Sequence, residues 1–234
     1  VLIQVIAAGI NYADCIIRMG QYASAKELHG YPIVPGFEIA GNVLEADDMQ
    51  AFPVGAPVFG LTLFGGYCER IVLPVDRVFH VPAGLGLHQA AALPAVFLTA
   101  WYALHQQARV QRDAAVLVHS AAGGVGGALV QLACRSGARV CGVVGHGDKI
   151  ATAKAFGCQR VIDKGSVDWR SGARDFAPDG FDIALDANGV ETTATYASRD
   201  ELAAKDAEAA EIFGDTDQTA IMDLDGDGTL GGNL

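Results

Sequence analysis

Apolar and polar residues follow different patterns in the two parts of the chain. In the second part, short apolar runs with the length of buried strands alternate with stretches of helical spacing. The apolar runs are residues 115–119, 139–144, 160–163 and 181–186. Gly137 and Gly157 end two of the intervening helices, and this strand–helix alternation predicts a parallel sheet covered by crossover helices.

The first part, residues 1 to about 85, has the pattern of a small β lobe. Its short β-rich runs lie between glycines and prolines that favour turns, such as Pro35 and Gly36. An alanine-rich stretch of helical spacing, residues 89–107, follows the lobe. We therefore expect an α/β chain with three segments, which are a β lobe at 1–85, an α/β domain at 86–192 and a tail at 193–234.

A glycine-rich turn follows the first apolar run of the second part and opens a helix. In this context glycine lets the backbone approach a pyrophosphate, and the N–H groups at the start of the helix bind the anion. The pattern predicts a dinucleotide-binding turn formed by Ala121, Ala122, Gly123, Gly124, Val125 and Gly126. A tight turn that binds no ligand is the alternative.

The residues after the second strand favour NADPH over NADH. An NAD site usually has an acid about 20 residues after the glycine motif, on the ribose 2′-hydroxyl, whereas here the strand ends at Gly145. Lys149 and Lys164 offer positive charge to a 2′-phosphate. Against this, Asp148 lies close by, and Lys149 has an ordinary alternative role as a solvated residue at a helix start.

Composition and charge indicate a globular protein that does not bind nucleic acid. The chain has 234 residues, of which 51% are hydrophobic and 18% are charged, which is typical of a globular protein and not of a disordered one. Its net charge of −11 argues against a nucleic-acid partner. The last 36 residues hold ten acidic and two basic residues, so −8 of this charge lies in the tail.

Several sequence features bear on the compartment and the ends of the chain. Five scattered cysteines predict reduced thiols. We expect a cytoplasmic protein because no apolar run reaches the roughly 18 residues that would span a membrane and no signal peptide is apparent. The chain starts as a strand entered partway, so we also expect the natural N-terminus to be missing.

Motifs over residues 1 to about 192 resemble the medium-chain dehydrogenase/reductase superfamily. The resemblance is strongest to its zinc-independent quinone oxidoreductase branch, which includes vesicle amine transport protein-like members. The motifs are residues 7–14, 35–41, 65–69, 90–94, 98–103, 118–126 and 161–164. The resemblance implies a GroES-like β lobe plus a partial Rossmann doubly wound parallel sheet, with the active site in the cleft between them.

The resemblance also implies roles for individual residues. Tyr22 matches a tyrosine that donates a proton or orients a carbonyl group in related enoyl-thioester reductases, and Asn11 matches a polar residue near the nicotinamide. Thr99 and Asn188 match cofactor contacts. The structural alternatives are a packing role for Tyr22 and a turn-forming role for Asn11.

The zinc ligands of related alcohol dehydrogenases are replaced in this chain. Where those enzymes have a cysteine, a histidine and a second cysteine, this sequence has Asn11, Phe37 and a residue near Ala95. Zinc prefers thiolate and imidazole ligands. The sequence therefore predicts that no zinc is bound.

After residue 192 the chain departs from the family pattern. A complete Rossmann sheet has six strands, and we find no pattern for the last two between 193 and 234. Three interpretations remain: the chain is C-terminally incomplete, its terminal segment replaces the missing half of the sheet, or the protein has lost its activity. A homodimer contact or another partner is expected to cover the exposed edge of the fourth strand.

The acidic tail contains part of an EF-hand-like calcium loop. Acidic or carbonyl ligands fall at loop positions 1, 3, 5 and 7, which are Asp223, Asp225, Asp227 and Thr229. Position 12 is Leu234 instead of glutamate. A solvated acidic tail is thus preferred, with calcium binding as the less favoured alternative.

Together with these features, the resemblance implies a zinc-independent oxidoreductase. It would transfer hydride from NADPH to a small-molecule quinone or α,β-unsaturated carbonyl compound (enone). The alternative is a non-catalytic, Rossmann-derived binding or structural subunit, calcium-responsive through its tail.

Overall fold

The computed structural model describes residues 1–166 and 169–186. Two compact units divide the chain, the first formed by Val1–Val96 and the second beginning at Phe97. Among the described residues, no helix is long and apolar enough to cross a lipid bilayer. The five cysteines, all of which are described, are free thiols.

The first unit is built on a five-stranded antiparallel sheet. Its strands are β1 (Leu2–Ala8), β2 (Glu38–Glu45), β3 (Pro57–Leu61), β4 (Arg70–Val72) and β5 (Val78–His80). They lie in the order β4-β1-β2-β3-β5. Three short helices accompany the sheet, α1 (Tyr12–Arg18), α2 (Ala23–Leu28) and α3 (Leu87–Ala90). This architecture confirms the predicted β lobe.

Alternating apolar residues give the first sheet its buried face. Side chains on alternate positions of a strand point to the same face, and Ile39 and Val43 on β2 are both at most 1% exposed. They pack with Ile3 of β1 and Val58 of β3. This core fixes the strand ends from which the loops of the candidate site extend.

The second unit is an open parallel sheet with crossover helices. Its strands are β6 (Ala115–Val118), β7 (Arg139–Val144), β8 (Arg160–Asp163) and β9 (Ile183–Leu185). All neighbouring pairs are parallel, in the order β8-β7-β6-β9. The connections contain α5 (Gly124–Arg135), α6 (Ile150–Phe156) and α7 (Trp169–Phe176). The four strands lie within the four apolar runs of the sequence, and the predicted α/β class is confirmed.

The alanine-rich stretch at 89–107 is largely helical, as its spacing predicts, but it forms more than one helix. After α3 ends at Ala90, a second helix, α4 (Pro94–Trp101), begins at Pro94 and continues as a π-helix over Tyr102–Gln107. Proline has no N–H group and favours the first position of a helix. Pro94 therefore starts a new helix, and the boundary between the two units falls inside it.

The second sheet also depends on a glycine whose hydrogen atom occupies a tight gap. A Cβ atom on Gly142 of β7 would lie 2.7 Å from both the Ala121 Cβ and the Cys158 Sγ. Such distances are well below van der Waals contact, so the turn after β6 and the segment after α6 can approach β7 only at a glycine.

We expect Gly142→Ala to lower the free energy of unfolding by about 1–3 kcal/mol, because the methyl group overpacks this gap. Gly145→Ala is the matched control, since a Cβ there has no neighbour within 4 Å. Urea denaturation of both variants tests the prediction. Equal denaturation midpoints for the two would contradict it.

Candidate functional site

The glycine-rich turn of the second unit joins β6 to α5. Ser120 adopts a left-handed conformation with φ of 51°, and its carbonyl oxygen accepts a hydrogen bond of 2.7 Å from the Gly123 N–H group. The Ala121 N–H group donates to the carbonyl oxygen of Val143 at 3.0 Å. The turn is therefore held against the carboxyl ends of β6 and β7.

Gly126 allows the first turn of α5 to pass this strand end closely. A Cβ atom on Gly126 would lie 2.1 Å from the Ser120 carbonyl oxygen, so no other residue fits without moving the backbone. Gly123 and Gly124 are exposed at the start of the helix. Because the first N–H groups of a helix lack partners within the helix and carry its positive end, the turn fits the pyrophosphate of a dinucleotide.

His119 anchors the base of the turn. Its side chain is only 2% exposed, and its backbone N–H group donates to the Leu185 carbonyl oxygen at 2.9 Å. Burial lowers the pKa of His119, with the charge of Asp186 opposing this effect and that of Lys164 adding to it. The imidazole is therefore neutral near pH 7. The apolar run of the sequence extends to His119, but β6 ends at Val118, so His119 directly follows the strand.

The two predicted phosphate lysines lie near the carboxyl ends of neighbouring strands. Lys164 directly follows β8, and its N–H group donates to the Val144 carbonyl oxygen at 2.8 Å. Lys149 lies in a short 3-10 helix, Gly147–Lys149, that follows β7. Both side chains are exposed, which leaves them available to a 2′-phosphate.

The sequence prediction did not include Asp163, the last residue of β8. Its Oδ1 accepts a hydrogen bond of 2.8 Å from the Gly165 N–H group, and its Oδ2 lies 3.2 Å from where a Cβ on Gly147 would be. This carboxylate brings negative charge to the same strand end as Lys164. A strand-end acid beside a glycine turn is the signal that points to it.

In the first unit, the carboxylate of Asp14 joins three separate segments. Asp14 is 6% exposed. Its Oδ2 accepts from the Asn11 N–H group at 2.8 Å and from the Tyr67 hydroxyl at 2.7 Å, while its Oδ1 accepts from the Gly36 N–H group at 2.9 Å. Asp14 thereby fixes the start of α1, the turn before β2 and the loop that contains Tyr67.

A second buried carboxylate, Glu38, holds the side chain of Asn11. The Asn11 Nδ2 donates to the Glu38 Oε1 at 2.8 Å, and the Ala95 N–H group donates to the Glu38 Oε2 at 2.7 Å. Burial raises the pKa of Glu38, the two hydrogen bonds oppose this, and the charge of Asp14 raises it further. The geometry, with a donor on each oxygen, is that of an ionised carboxylate.

Sequence reasoning singled out neither carboxylate, although a signal for both exists. Asp14 and Glu38 each stand between two apolar residues, Ala13 and Cys15 in one case and Phe37 and Ile39 in the other. An isolated acid in an apolar segment indicates a buried charge that requires hydrogen-bond donors.

Tyr22 lies immediately before α2, where the charge of Asp14 acts on it. Its ring packs edge-on against Phe37, with centroids 6.0 Å apart, beside the buried side chains of Ile17 and Phe64. Burial, followed by the charge of Asp14, raises the pKa of Tyr22. The phenol therefore keeps its proton at neutral pH and remains a hydrogen-bond donor.

The resemblance pairs two zinc-ligand positions of related enzymes with Asn11 and Phe37, and a third with a residue near Ala95. The Asn11 amide is hydrogen-bonded to Glu38, the Phe37 ring packs 5.9 Å from that of Phe64, and Ala95 has only a methyl group. Zinc sites in proteins are built from thiolate, imidazole and carboxylate ligands. Over residues 1–166 and 169–186, no group of three or more His, Cys, Asp or Glu side chains is arranged to hold a metal ion.

The remaining predicted site residues divide between the second unit and the tail. Thr99 is half-buried in α4. Asn188 and the proposed calcium ligands lie outside the described residues; those ligands are Asp223, Asp225, Asp227 and Thr229.

Two known protein families match this chain in the same order as its two units. Residues 1–83 match the alcohol dehydrogenase GroES-like domain, and residues 124–212 match the zinc-binding dehydrogenase family. The first match covers the unit with the antiparallel sheet, and the second begins at the first residue of α5.

Individual relatives agree with these family matches. The human synaptic vesicle membrane protein VAT-1 homolog-like is 31% identical over 192 residues, or 79% of this chain and 43% of that protein. The quinone oxidoreductase from Thermus thermophilus, whose structure was also solved in complex with NADPH, has a TM-score of 0.71 and 32% identity over 82% of this chain and 59% of that one. The CurK enoyl reductase has a TM-score of 0.79 and 26% identity over 96% and 73% of the two chains. The chain thus spans about two fifths of the length of the human relative.

The Asp14 network leads to a stability prediction. We expect Tyr67→Phe to lower the free energy of unfolding by about 1 kcal/mol, because it removes a hydrogen bond to a buried carboxylate from a partly exposed tyrosine. Tyr12→Phe is the control, since the Tyr12 side chain is 78% exposed. Chemical denaturation of both variants measures the difference, and an unchanged stability of Tyr67→Phe would refute the prediction.

Proposed function

The chain belongs to the medium-chain dehydrogenase/reductase superfamily, and from this premise we propose that it is a zinc-independent, NADPH-dependent oxidoreductase that transfers hydride to a quinone or an enone. The observation that carries the proposal is the turn from Ser120 to Gly126, where the close approach at Gly126 exposes the start of α5 to an anion.

The proposed NADPH site uses residues at the carboxyl ends of the parallel strands. The pyrophosphate would lie on the turn formed by residues 121–126, as in other open α/β sheets that bind dinucleotides. Lys149 and Lys164 would bind the 2′-phosphate, and Thr99 and Asn188 would contact the rest of the cofactor. The NADPH complex of the similar quinone oxidoreductase supports this choice of cofactor.

The proposed chemistry assigns hydrogen bonding and proton donation to the first unit. Bound NADPH supplies the hydride. Tyr22, whose phenol stays protonated, would donate a hydrogen bond to the substrate carbonyl and so stabilise the negative charge that develops on its oxygen. Asn11, held by Glu38, would orient the reacting groups. Because the residues at the zinc positions are an amide, a phenyl ring and a methyl group, we propose that these hydrogen bonds take the place of a metal.

Two relatives support the substrate class. One is a quinone oxidoreductase and another is an enoyl reductase. Both names describe the reduction of a conjugated system, in which hydride addition at one end places negative charge on an oxygen at the other. The same hydrogen-bond donor therefore serves either substrate.

Lysine variants test the NADPH site. We expect Lys149→Gln and Lys164→Gln each to raise the Kd for NADPH by about fivefold while leaving the Kd for NADH unchanged, because each removes an exposed charge that pairs with the 2′-phosphate. Fluorescence titration with both cofactors measures this. Lys154→Gln is the control, on an exposed position of α6.

Equal weakening of NADPH and NADH binding would contradict the assignment of the lysines. A wild-type protein that binds no NADPH up to about 1 mM, the upper end of ordinary KM values, would overturn the proposed function and favour a non-catalytic subunit.

Tyr22→Phe tests the proton donor. We expect kcat for quinone or enone reduction to fall by about 100-fold with little change in NADPH affinity, since a general acid typically contributes at least this much. The matched control is Tyr31→Phe, whose hydroxyl donates to the Ile17 carbonyl oxygen. A Tyr22→Phe variant with wild-type kcat would remove the catalytic assignment.

A further inference from the structure

The buried carboxylate of Glu38 is placed to control which end of the Asn11 amide is offered to a ligand. Its two oxygens accept from two different donors, the Asn11 Nδ2 at 2.8 Å and the Ala95 N–H group at 2.7 Å. A side chain with two acceptor oxygens and no donor satisfies both partners, and only an ionised carboxylate has that property. Glutamine would offer one acceptor and one donor.

The fold provides a fitted space for this carboxylate. Glu38 is 1% exposed. A Cβ atom on Gly9 would lie 2.2 Å from the Glu38 Oε1 and 2.5 Å from the Ala91 carbonyl oxygen, so the space exists only because residue 9 is glycine. The Gly9 N–H group also donates to the Glu38 carbonyl oxygen at 3.1 Å, which ties the segment before Asn11 to the start of β2.

Asn11 is consequently fixed at both its backbone and its side chain. Asp14 accepts from the backbone N–H group of Asn11 at 2.8 Å, while Glu38 accepts from its Nδ2. Since a side-chain amide is planar, its Oδ1 faces away from the group that its Nδ2 contacts. Asn11 is only partly buried, so this oxygen is the acceptor that the residue can present to a ligand.

From this geometry we propose that Glu38 is a positioning residue that fixes the Asn11 amide with Oδ1 outward, where it accepts a hydrogen bond from an N–H or O–H group of the bound reactants. The proposal rests on the proposed function, because the reactants are NADPH and a quinone or enone. Two groups supply such a donor, the carboxamide N–H of the nicotinamide and the hydroxyl of a forming hydroquinone.

A pair of isosteric substitutions tests the proposal by exchanging donor and acceptor. In Glu38→Gln, the new amide can satisfy the Ala95 N–H group only by turning its donor toward Asn11, which then flips and presents Nδ2 outward. Asn11→Asp instead places two carboxylates against each other. In the double variant, the new carboxylate at position 11 accepts from the new amide at position 38, and its second oxygen again faces outward.

We expect Glu38→Gln to reduce kcat/KM about 10-fold and Asn11→Asp about 100-fold, whereas the double variant returns to within about threefold of the wild type. A pair that only supports the fold would show its loss and recovery in the melting temperature, so kcat/KM is compared at a temperature where all four proteins are folded. Thermal denaturation of all four proteins verifies folding. Additive losses in the double variant, or wild-type kinetics in Glu38→Gln, overturn the proposal.

Two further measurements identify the donor that Asn11 accepts from. If it is the nicotinamide carboxamide, Glu38→Gln raises the Kd for NADPH but not for the 3-acetylpyridine analogue, which lacks the amide N–H. If it is the substrate hydroxyl, the Kd for NADPH is unchanged and the loss appears with quinones but not with enones, which do not form a hydroquinone. Either result supports the proposal.

An NMR titration tests the contact between Asn11 and Glu38 without measuring enzyme activity. The side-chain amide resonance of Asn11, identified by its absence in Asn11→Asp, should shift with pH as Glu38 titrates above its ordinary range, and this shift should be absent in Glu38→Gln. Asp14 and Tyr67 are the neighbouring groups whose charges act with Glu38, so Tyr67→Phe serves as a reference. If the wild type shows this coupling but no reductase activity, only the proposed function fails; if the coupling is absent, the positioning role is refuted.

Discussion

The close approach of backbones at particular glycines is the constraint on which both units depend. At Gly126 a helix start passes a strand end with no space for a Cβ atom, and at Gly142 the adjacent strand meets the same turn. At Gly9 the missing side chain leaves room for the carboxylate of Glu38. These positions tolerate no side chain because polar backbone groups, a charge or packed side-chain atoms occupy the space. The chemistry of each unit is thus built around a gap that glycine leaves.

Hydrogen bonds to buried charge organise the first unit in a way that its apolar core does not. Burying a carboxylate is costly unless donors replace the lost water, and Asp14 and Glu38 draw these donors from four segments of the chain. The apolar side chains of β1, β2 and β3 hold the sheet together, but they do not determine the conformation of the loops. The two carboxylates define those loops, and Asn11 is the residue on which both act.

The helices and strands could be predicted from local sequence patterns. The contacts between residues far apart in the sequence could not. The parallel strands and the turn at Ala121 to Gly126 were predictable because periodicity and a helix start are encoded by adjacent residues. The break at Pro94 was encoded locally too, but the alanine-rich composition around it concealed it. The partners of Glu38 lie 27 and 57 residues away in sequence, so no spacing rule reveals them. Tyr22 was predicted by resemblance alone, and its packing against Phe37 emerged from the fold.

The strand order of the second unit has a kinetic consequence. β6 lies between β7 and β9, and its pairing with β9 joins Val116 to Ile183. Pairing β6 with a strand so far along the chain requires closing a long loop, and the lost chain entropy slows this step. During synthesis, β6, β7 and β8 therefore emerge well before β9 can join the sheet. Until then one edge of the central strand displays unsatisfied backbone groups, and the half-made sheet is the species most exposed to aggregation.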